Sequence, residues 1–143
     1  MAAAENRSGD SAPERPSPES PTRRLRALSQ ADFELEFFGA ILERDPCYTA
    51  VLRVQAEVLA ARGLHARTLQ IDRRLVRLLP DRPIPWYNLA CSYAVLGMTD
   101  PALAALQRAL ELHYPRPDIL ARDPDLASLH QDPRFLRLLA RSR

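Results

Sequence analysis

The sequence contains no lysine, only two cysteines and only four glycines, and these shortages exclude several classes of protein. Cys47 and Cys91 are too few for a disulfide framework, and they form no CxxC pair of the kind that binds zinc. The four glycines leave no glycine-rich loop that could hold a phosphate. We therefore expect neither a metal ion nor another cofactor.

Long apolar runs are also missing. An uncharged window extends from Pro83 to Thr99, but it contains two prolines and a glycine, whereas a membrane helix needs about 20 mostly apolar residues. The first residues include an acid and are followed by no apolar run typical of a secretory signal. We expect a cytoplasmic protein that does not cross a membrane.

The sequence also lacks the residue patterns of common catalytic sites. His65, His113 and His130 are scattered and form neither an HExxH motif nor a pair spaced for a metal. No serine lies in a GxSxG turn. Cys91 lies in an apolar stretch, where a buried cysteine is usually inert, so we interpret it as a small core or groove residue. These observations predict a protein that is not an enzyme.

The composition changes near residue 28. Residues 1–28 contain four prolines, several serines and few large apolar side chains, which predicts a disordered tail. Residues 29–143 have apolar residues at helical spacing, interrupted by glycine and proline, and predict an all-α domain. Within it, Asp100, Asp123 and Asp132 each precede a proline, and we expect them to cap helices that begin there.

A period of 34 residues is visible in the helical part. Gly63 and Gly97 are separated by this interval, and so are Ala56 and Ala90. A period of this length with two helices in each unit is typical of stacked helical hairpins. The unit that follows Arg82 has the clearest pattern, which consists of Trp86-x2-Leu89-Ala90-x2-Tyr93, then Gly97, Ala102, Leu106 and Ala109.

This pattern resembles the tetratricopeptide repeat. The resemblance implies helical hairpins stacked in a short right-handed superhelix, an α-solenoid, with Trp86 packing inside a repeat. It also implies a half repeat at 29–46, repeats at 47–82 and 83–116, and a shortened C-terminal cap at 117–143. The repeat at 47–82 departs from the family pattern, with Thr68 where a small residue is expected and Asp72 where an aromatic residue is expected.

In this family the first helix of each repeat lines a groove that holds a peptide or helix of a partner protein. The resemblance therefore implies a non-enzymatic adaptor or scaffold that binds a protein partner whose identity the sequence does not give. Asn88 matches an asparagine of members that bind chaperone C-termini, but Val54 and Asp118 differ from that pattern, so we do not expect this class of partner. By position, the partner-binding groove would be formed by Arg53, Glu57, Ile84, Tyr87, Asn88, Cys91 and Val95.

Two alternatives remain open at this stage. Phe33 and Phe37 lie one turn apart on the half-repeat helix and would form an exposed interface for self-assembly, such as a homodimer, unless residues 1–28 fold back over them through Leu25 and Leu28. Nucleic acid or another polyanion is the less favoured alternative, because no aromatic residue lies near the arginines to stack on bases. Those arginines are Arg67, Arg73, Arg74 and Arg77.

Overall fold

The computed structural model describes residues 30–45 and 47–142, except for the side chain of Ala31. The predicted disordered tail, residues 1–28, lies outside this part of the chain. Every regular element between residues 30 and 142 is helical, which confirms the all-α prediction. The elements are α1 (Gln30–Arg44), α2 (Thr49–Ala61), α3 (His65–Leu78), α4 (Pro83–Val95), α5 (Thr99–Glu111), two 3-10 helices (Pro117–Arg122 and Pro124–Leu129) and α6 (Pro133–Arg141).

Each helix packs mainly on its neighbours in the sequence. Helix α1 contacts α2, α2 forms a hairpin with α3, α3 packs on α4, and α4 forms a second hairpin with α5. The second 3-10 helix then packs on α4, where a further hairpin would otherwise begin. The result is a helical-repeat arrangement of the solenoid type, as the period predicts.

Helices α2 and α4, the first helices of the two hairpins, end in the same way. Gly63 follows α2 with a φ of 73°, and Gly97 follows α4 with a φ of 74°. In this left-handed region a side chain would be strained, so glycine suits the position. The amide of Gly63 donates to the carbonyl of Ala60 at 2.9 Å, and the Gly97 amide donates to Ala94 at 3.0 Å. Each of these bonds satisfies a carbonyl of the last turn, and the glycine turns the chain back into a hairpin.

Small residues lie where the helices of the second hairpin approach each other. Ala90, Ala102 and Ala109 are completely buried, and Leu106 fills the space beside them. Trp86 packs against this core with its ring, and its Nε1 donates to the carbonyl of Pro80 at 2.9 Å. The core continues into the C-terminal segment through its buried leucines and a buried phenylalanine, which are Leu120, Leu126, Leu129 and Phe135.

The predicted helix starts are partly wrong. Asp123 and Asp132 do cap helices, because each carboxylate accepts a bond from the backbone amide two residues later. Asp100 does not cap α5, which begins one residue earlier at Thr99; its carboxylate instead accepts a bond from Arg134 at 2.7 Å. The 3-10 helix Pro117–Arg122 was not predicted, since no side-chain cap marks its start.

No helix in the described part of the chain combines the length and the apolar character needed to cross a membrane.

Candidate functional site

The predicted groove residues are brought together by the packing of α2, α3 and α4. A cavity of about 540 Å³ opens between these helices, and we call it the groove. Helix α2 supplies its residues from successive turns of one face, and α4 does the same from the neighbouring repeat. All seven residues predicted from the sequence line it, namely Arg53, Glu57, Ile84, Tyr87, Asn88, Cys91 and Val95.

The groove contains a buried carboxylate that the sequence does not place there. Asp72, on α3, is only 3% exposed, and its Oδ2 accepts a hydrogen bond of 2.5 Å from Oγ of Ser92, on α4. Both side chains line the groove. The other oxygen, Oδ1 of Asp72, has no hydrogen-bond partner among the residues that the structure describes. This pair therefore connects the two repeats. No fully buried side-chain oxygen of the described residues lacks a partner, so Oδ1 of Asp72 is reachable by solvent.

Burial changes the acidity of this group. The loss of water raises the pKa of Asp72 from 3.8 to about 6, although the hydrogen bond from Ser92 partly opposes the rise. No ion pair to Asp72 exists within residues 30–45 and 47–142 that would stabilise its charge. At the equivalent position 34 residues later, the chain places the fully buried Leu106. The fold therefore accepts an apolar residue at this position of a hairpin, and the first hairpin differs from the second by having a carboxylate there.

Tyr87 is fixed by two contacts. Its hydroxyl donates to Oδ2 of Asp123, and its ring stacks on that of Tyr114 with the ring centroids 4.5 Å apart. Burial, and next the bond to Asp123, raise the pKa of Tyr87 above its usual range. The hydroxyl therefore stays protonated, and it already donates its proton to Asp123. The contacts of Tyr87 with Asp123 and Tyr114 join α4 to the C-terminal segment, so its hydroxyl proton is not available to a ligand.

Cys91 lies in the middle of the groove wall and is half-buried. Burial is the main cause that raises the pKa of its thiol, and the negative charges of Asp123, Asp125 and Asp72 raise it further. A thiol with a raised pKa is a poor nucleophile, because the thiolate is the reactive form.

Charge is distributed unevenly along the groove. Its basic group, Arg53, also borders an adjoining cavity of about 460 Å³, where it is accompanied by Arg82 and by apolar side chains that include Ile84. The remaining lining carries Glu57, Asp72 and Asp125. The groove therefore has Arg53 and Ile84 near the beginning of α2 and α4, whereas its three carboxylates and His65 lie on the rest of the lining.

The predicted terminal interface lies apart from the groove. Phe33 is 38% exposed and Phe37 is 52% exposed, and their rings stack with centroids 6.1 Å apart. Neither phenylalanine lines the groove. The residues proposed to cover them, Leu25 and Leu28, lie outside the described residues, and the described part of the chain leaves both rings accessible.

The arginines of α3 also lie away from the groove. Arg67, Arg73 and Arg77 are exposed, and Arg74 is half-buried. None of them lines the groove, although α3 contributes Asp72 to it. The two sets of charges therefore belong to different faces of the same helix.

Sequence reasoning placed Glu57 in the groove but missed Asp72, Ser92 and Asp125. Asp72 carried a signal, because a charged residue occupies a position where the repeat pattern expects an aromatic one. Ser92 and Asp125 carried no comparable signal, since nothing in the sequence places them beside Asp72. Across the described residues, no group of three or more His, Cys, Asp or Glu side chains is arranged to hold a metal ion.

No protein-family model matches the chain, and no curated protein matches it. The candidate site therefore rests on its geometry and chemistry alone.

Proposed function

We propose that the protein is a non-enzymatic adaptor of the tetratricopeptide type, which binds a peptide or helix of a partner protein in the groove. The observation that carries the proposal is the convergence of all seven predicted residues on one cavity of about 540 Å³. This volume lies within the roughly 300–1,000 Å³ that is usual for ligand-binding sites. The proposal includes a cytoplasmic location, which agrees with Cys47 and Cys91 being unpaired cysteines.

Apolar contacts would supply most of the affinity. Ile84 is 46% exposed and Val95 is 40% exposed, and both lie on the groove lining. Covering such a side chain contributes about 25 cal/mol for each Å² of apolar surface removed from water. Asn88 and Arg53 lie beside Ile84 and offer donors that would fix the orientation of a bound backbone or carboxylate.

The test is capture of a partner from the native host by the tagged full-length protein, with and without nuclease, followed by mass spectrometry. We expect a nuclease-resistant protein partner that is lost with Ile84→Ser plus Asn88→Ala. Tyr87 is unsuitable for this purpose, because its contacts with Asp123 and Tyr114 make it part of the fold. Leu136→Ser is the matched control, since Leu136 is an exposed apolar residue outside the groove.

Circular dichroism of each variant checks that the helices remain folded. A partner retained by the groove variant would argue against the groove as the binding site. Recovery of the bait alone, or only of partners that disappear with nuclease, would contradict the adaptor function.

A second function, self-assembly through α1, is favoured by the exposure of Phe33 and Phe37. Two stacked aromatic rings in water form an apolar surface that a second copy could cover. Light scattering over a range of concentrations would give a rising mass for the unmodified chain and a monomer mass for Phe37→Ser. A constant monomer mass for the unmodified chain would remove this candidate.

A further inference from the structure

We propose that the groove recognises a lysine or arginine side chain of its partner, whose cation pairs with Oδ1 of Asp72 and lies close to Asp125. The inference rests on the proposed function, because it specifies the chemistry of the segment that the same groove would bind. The groove would then select its partner by charge as well as by apolar contacts.

Asp72 is a buried carboxylate without a cationic partner among the described residues. Charged side chains are almost never buried unless they are paired, because removal from water is costly. More than nine-tenths of the surface of Asp72 is buried. Its only hydrogen bond within the described part of the chain nevertheless comes from the neutral hydroxyl of Ser92. Asp72 lines the open cavity of about 540 Å³, and its second oxygen is not sealed from solvent. A cation that enters from the groove would complete the coordination of this carboxylate.

The charges that surround the cavity come from three helices and are mostly acidic. Helix α2 contributes Arg53 and Glu57, α3 contributes His65 and Asp72, and the second 3-10 helix contributes Asp125. The three acidic groups outnumber the basic ones even when His65 is counted as basic. Arg53 makes no ion pair with Asp72 within the part of the chain that the structure covers, and it lies toward the adjoining basic cavity. The potential near Asp72 therefore favours a positive ligand.

The groove also has room for a long side chain. The groove wall on α2 near Glu57 consists of small side chains, which leave room for an incoming chain of methylene groups. Lysine and arginine have long apolar stems that pack on such surfaces while the charged head reaches a polar group. Arginine adds several donors in one plane, which suit a carboxylate. The small side chains are Ala56, Ala60 and Ala61.

The experiment is an NMR titration of the isotope-labelled full chain at pH 7 with two blocked tripeptides. One peptide carries arginine between two leucines, and the other carries citrulline, which keeps the shape but has no charge. We expect saturable shifts of the amides of Asp72, Ser92 and their neighbours. We also expect binding of the arginine peptide to be about tenfold tighter, which is the size of effect that a hydrogen bond to a charged group usually has.

Asp72→Asn tests the role of the carboxylate. Asparagine retains the shape and can still accept the bond from Ser92, so the fold should survive. We expect this variant to lose the preference for arginine while its affinity for the citrulline peptide stays unchanged. Asp125→Asn should reduce the preference by a smaller factor, because Asp125 is exposed and screened by water. The control, Glu111→Gln, removes an exposed acid that does not line the groove and should change neither affinity.

Three results would overturn the inference. Equal affinity for both peptides at the groove would refute recognition of a cation while leaving the adaptor function intact. Absence of groove shifts with either peptide would refute it as well, and the adaptor function would still be judged by the native-host capture with the Ile84 and Asn88 variant. The third result concerns the basic residues that precede α1. If replacing Arg23, Arg24 and Arg26 by alanine shifts the Asp72 and Ser92 amides without peptide, the occupant is the chain's own segment and not a partner.

Discussion

The sharpest prediction is that replacing Asp72 by asparagine stabilises the protein at neutral pH. Asp72 is buried between α3 and α4 without a cation among the described residues, so its negative charge opposes folding. Asparagine has nearly the same volume and keeps an acceptor for the Ser92 hydroxyl. Its amide group would face the groove, where water can hydrogen-bond to it. The substitution therefore removes the charge with little other disturbance.

The expected magnitude follows from the pKa. Burial raises the pKa of Asp72 from 3.8 to about 6, and each pKa unit corresponds to about 1.4 kcal/mol. The cost of the ionised group at pH 7 is therefore at most about 3 kcal/mol. The pH dependence of this contribution to stability has the opposite sign to that of a salt-bridged carboxylate, whose pKa is lowered on folding. Because the folded state holds the proton more tightly, the contribution of Asp72 to stability is largest below pH 3.8 and is lost as the pH rises through 6.

The assay is urea unfolding followed by circular dichroism at several values between pH 4 and pH 8. We expect Asp72→Asn to exceed the unmodified protein by about 1–3 kcal/mol in the free energy of unfolding at pH 7.5. The difference should shrink toward pH 4, and the urea m-value should stay constant if the compactness of both states is unchanged. Glu111→Gln is the control and should run parallel to the unmodified protein.

A lower stability of Asp72→Asn at pH 7.5 would refute this reasoning, because the carboxylate would then contribute to the fold. A difference that does not change between pH 4 and pH 7.5 would refute it too, since the effect would not come from ionisation. If the prediction holds, the charge at Asp72 is costly for stability and its retention requires another cause. Recognition of a cationic partner would be such a cause, since residues at binding sites commonly reduce stability.

Three further predictions concern the fold and can be measured by the same unfolding experiment. Leu106→Ala should lose about 2–5 kcal/mol because Leu106 is fully buried, whereas Leu136→Ala, at an exposed position, should lose less than about 0.5 kcal/mol; equal losses would contradict the assigned core. Gly97→Ala should cost roughly 1 kcal/mol through its positive φ, and an unchanged stability would show that the turn adapts. Tyr87→Phe should cost about 1 kcal/mol because Oδ2 of Asp123 loses its donor, and no loss would mean that water replaces the bond.

The hairpins could be predicted from the sequence because their signals are local. Gly63 and Gly97 favour the backbone conformation that ends a helix, and the alanines at 90, 102 and 109 allow close packing of neighbouring helices. The 34-residue period then predicts the same type of helix end and turn in the next hairpin. Helix starts were less reliable, as Asp100 illustrates. A residue before proline suits more than one position in the first turn, and the contact with Arg134 is not visible in the sequence.

The groove was predictable only as far as the repeat pattern extends. The seven residues on α2 and α4 were found because helical spacing assigns them to one face of each helix. Asp72 lies on α3, and the pattern marks it only as a departure from the expected residue. Tyr87 was predicted as a residue for ligand contact, and the structure adds that its hydroxyl is bound to Asp123, which comes from the C-terminal segment.

The sequence by itself determined the α-helices to within a few residues, though not the 3-10 helix Pro117–Arg122. It also determined the 34-residue hairpins and the face that each first helix of a hairpin presents, because these depend on residues only a few positions apart. Tertiary structure alone decided that Asp72 meets Ser92, and that Asp125 borders the same cavity. Those positions depend on how one hairpin is rotated against the next and on where the C-terminal segment rests on α4. Such angles result from the packing of many side chains at once, and no local pattern specifies them.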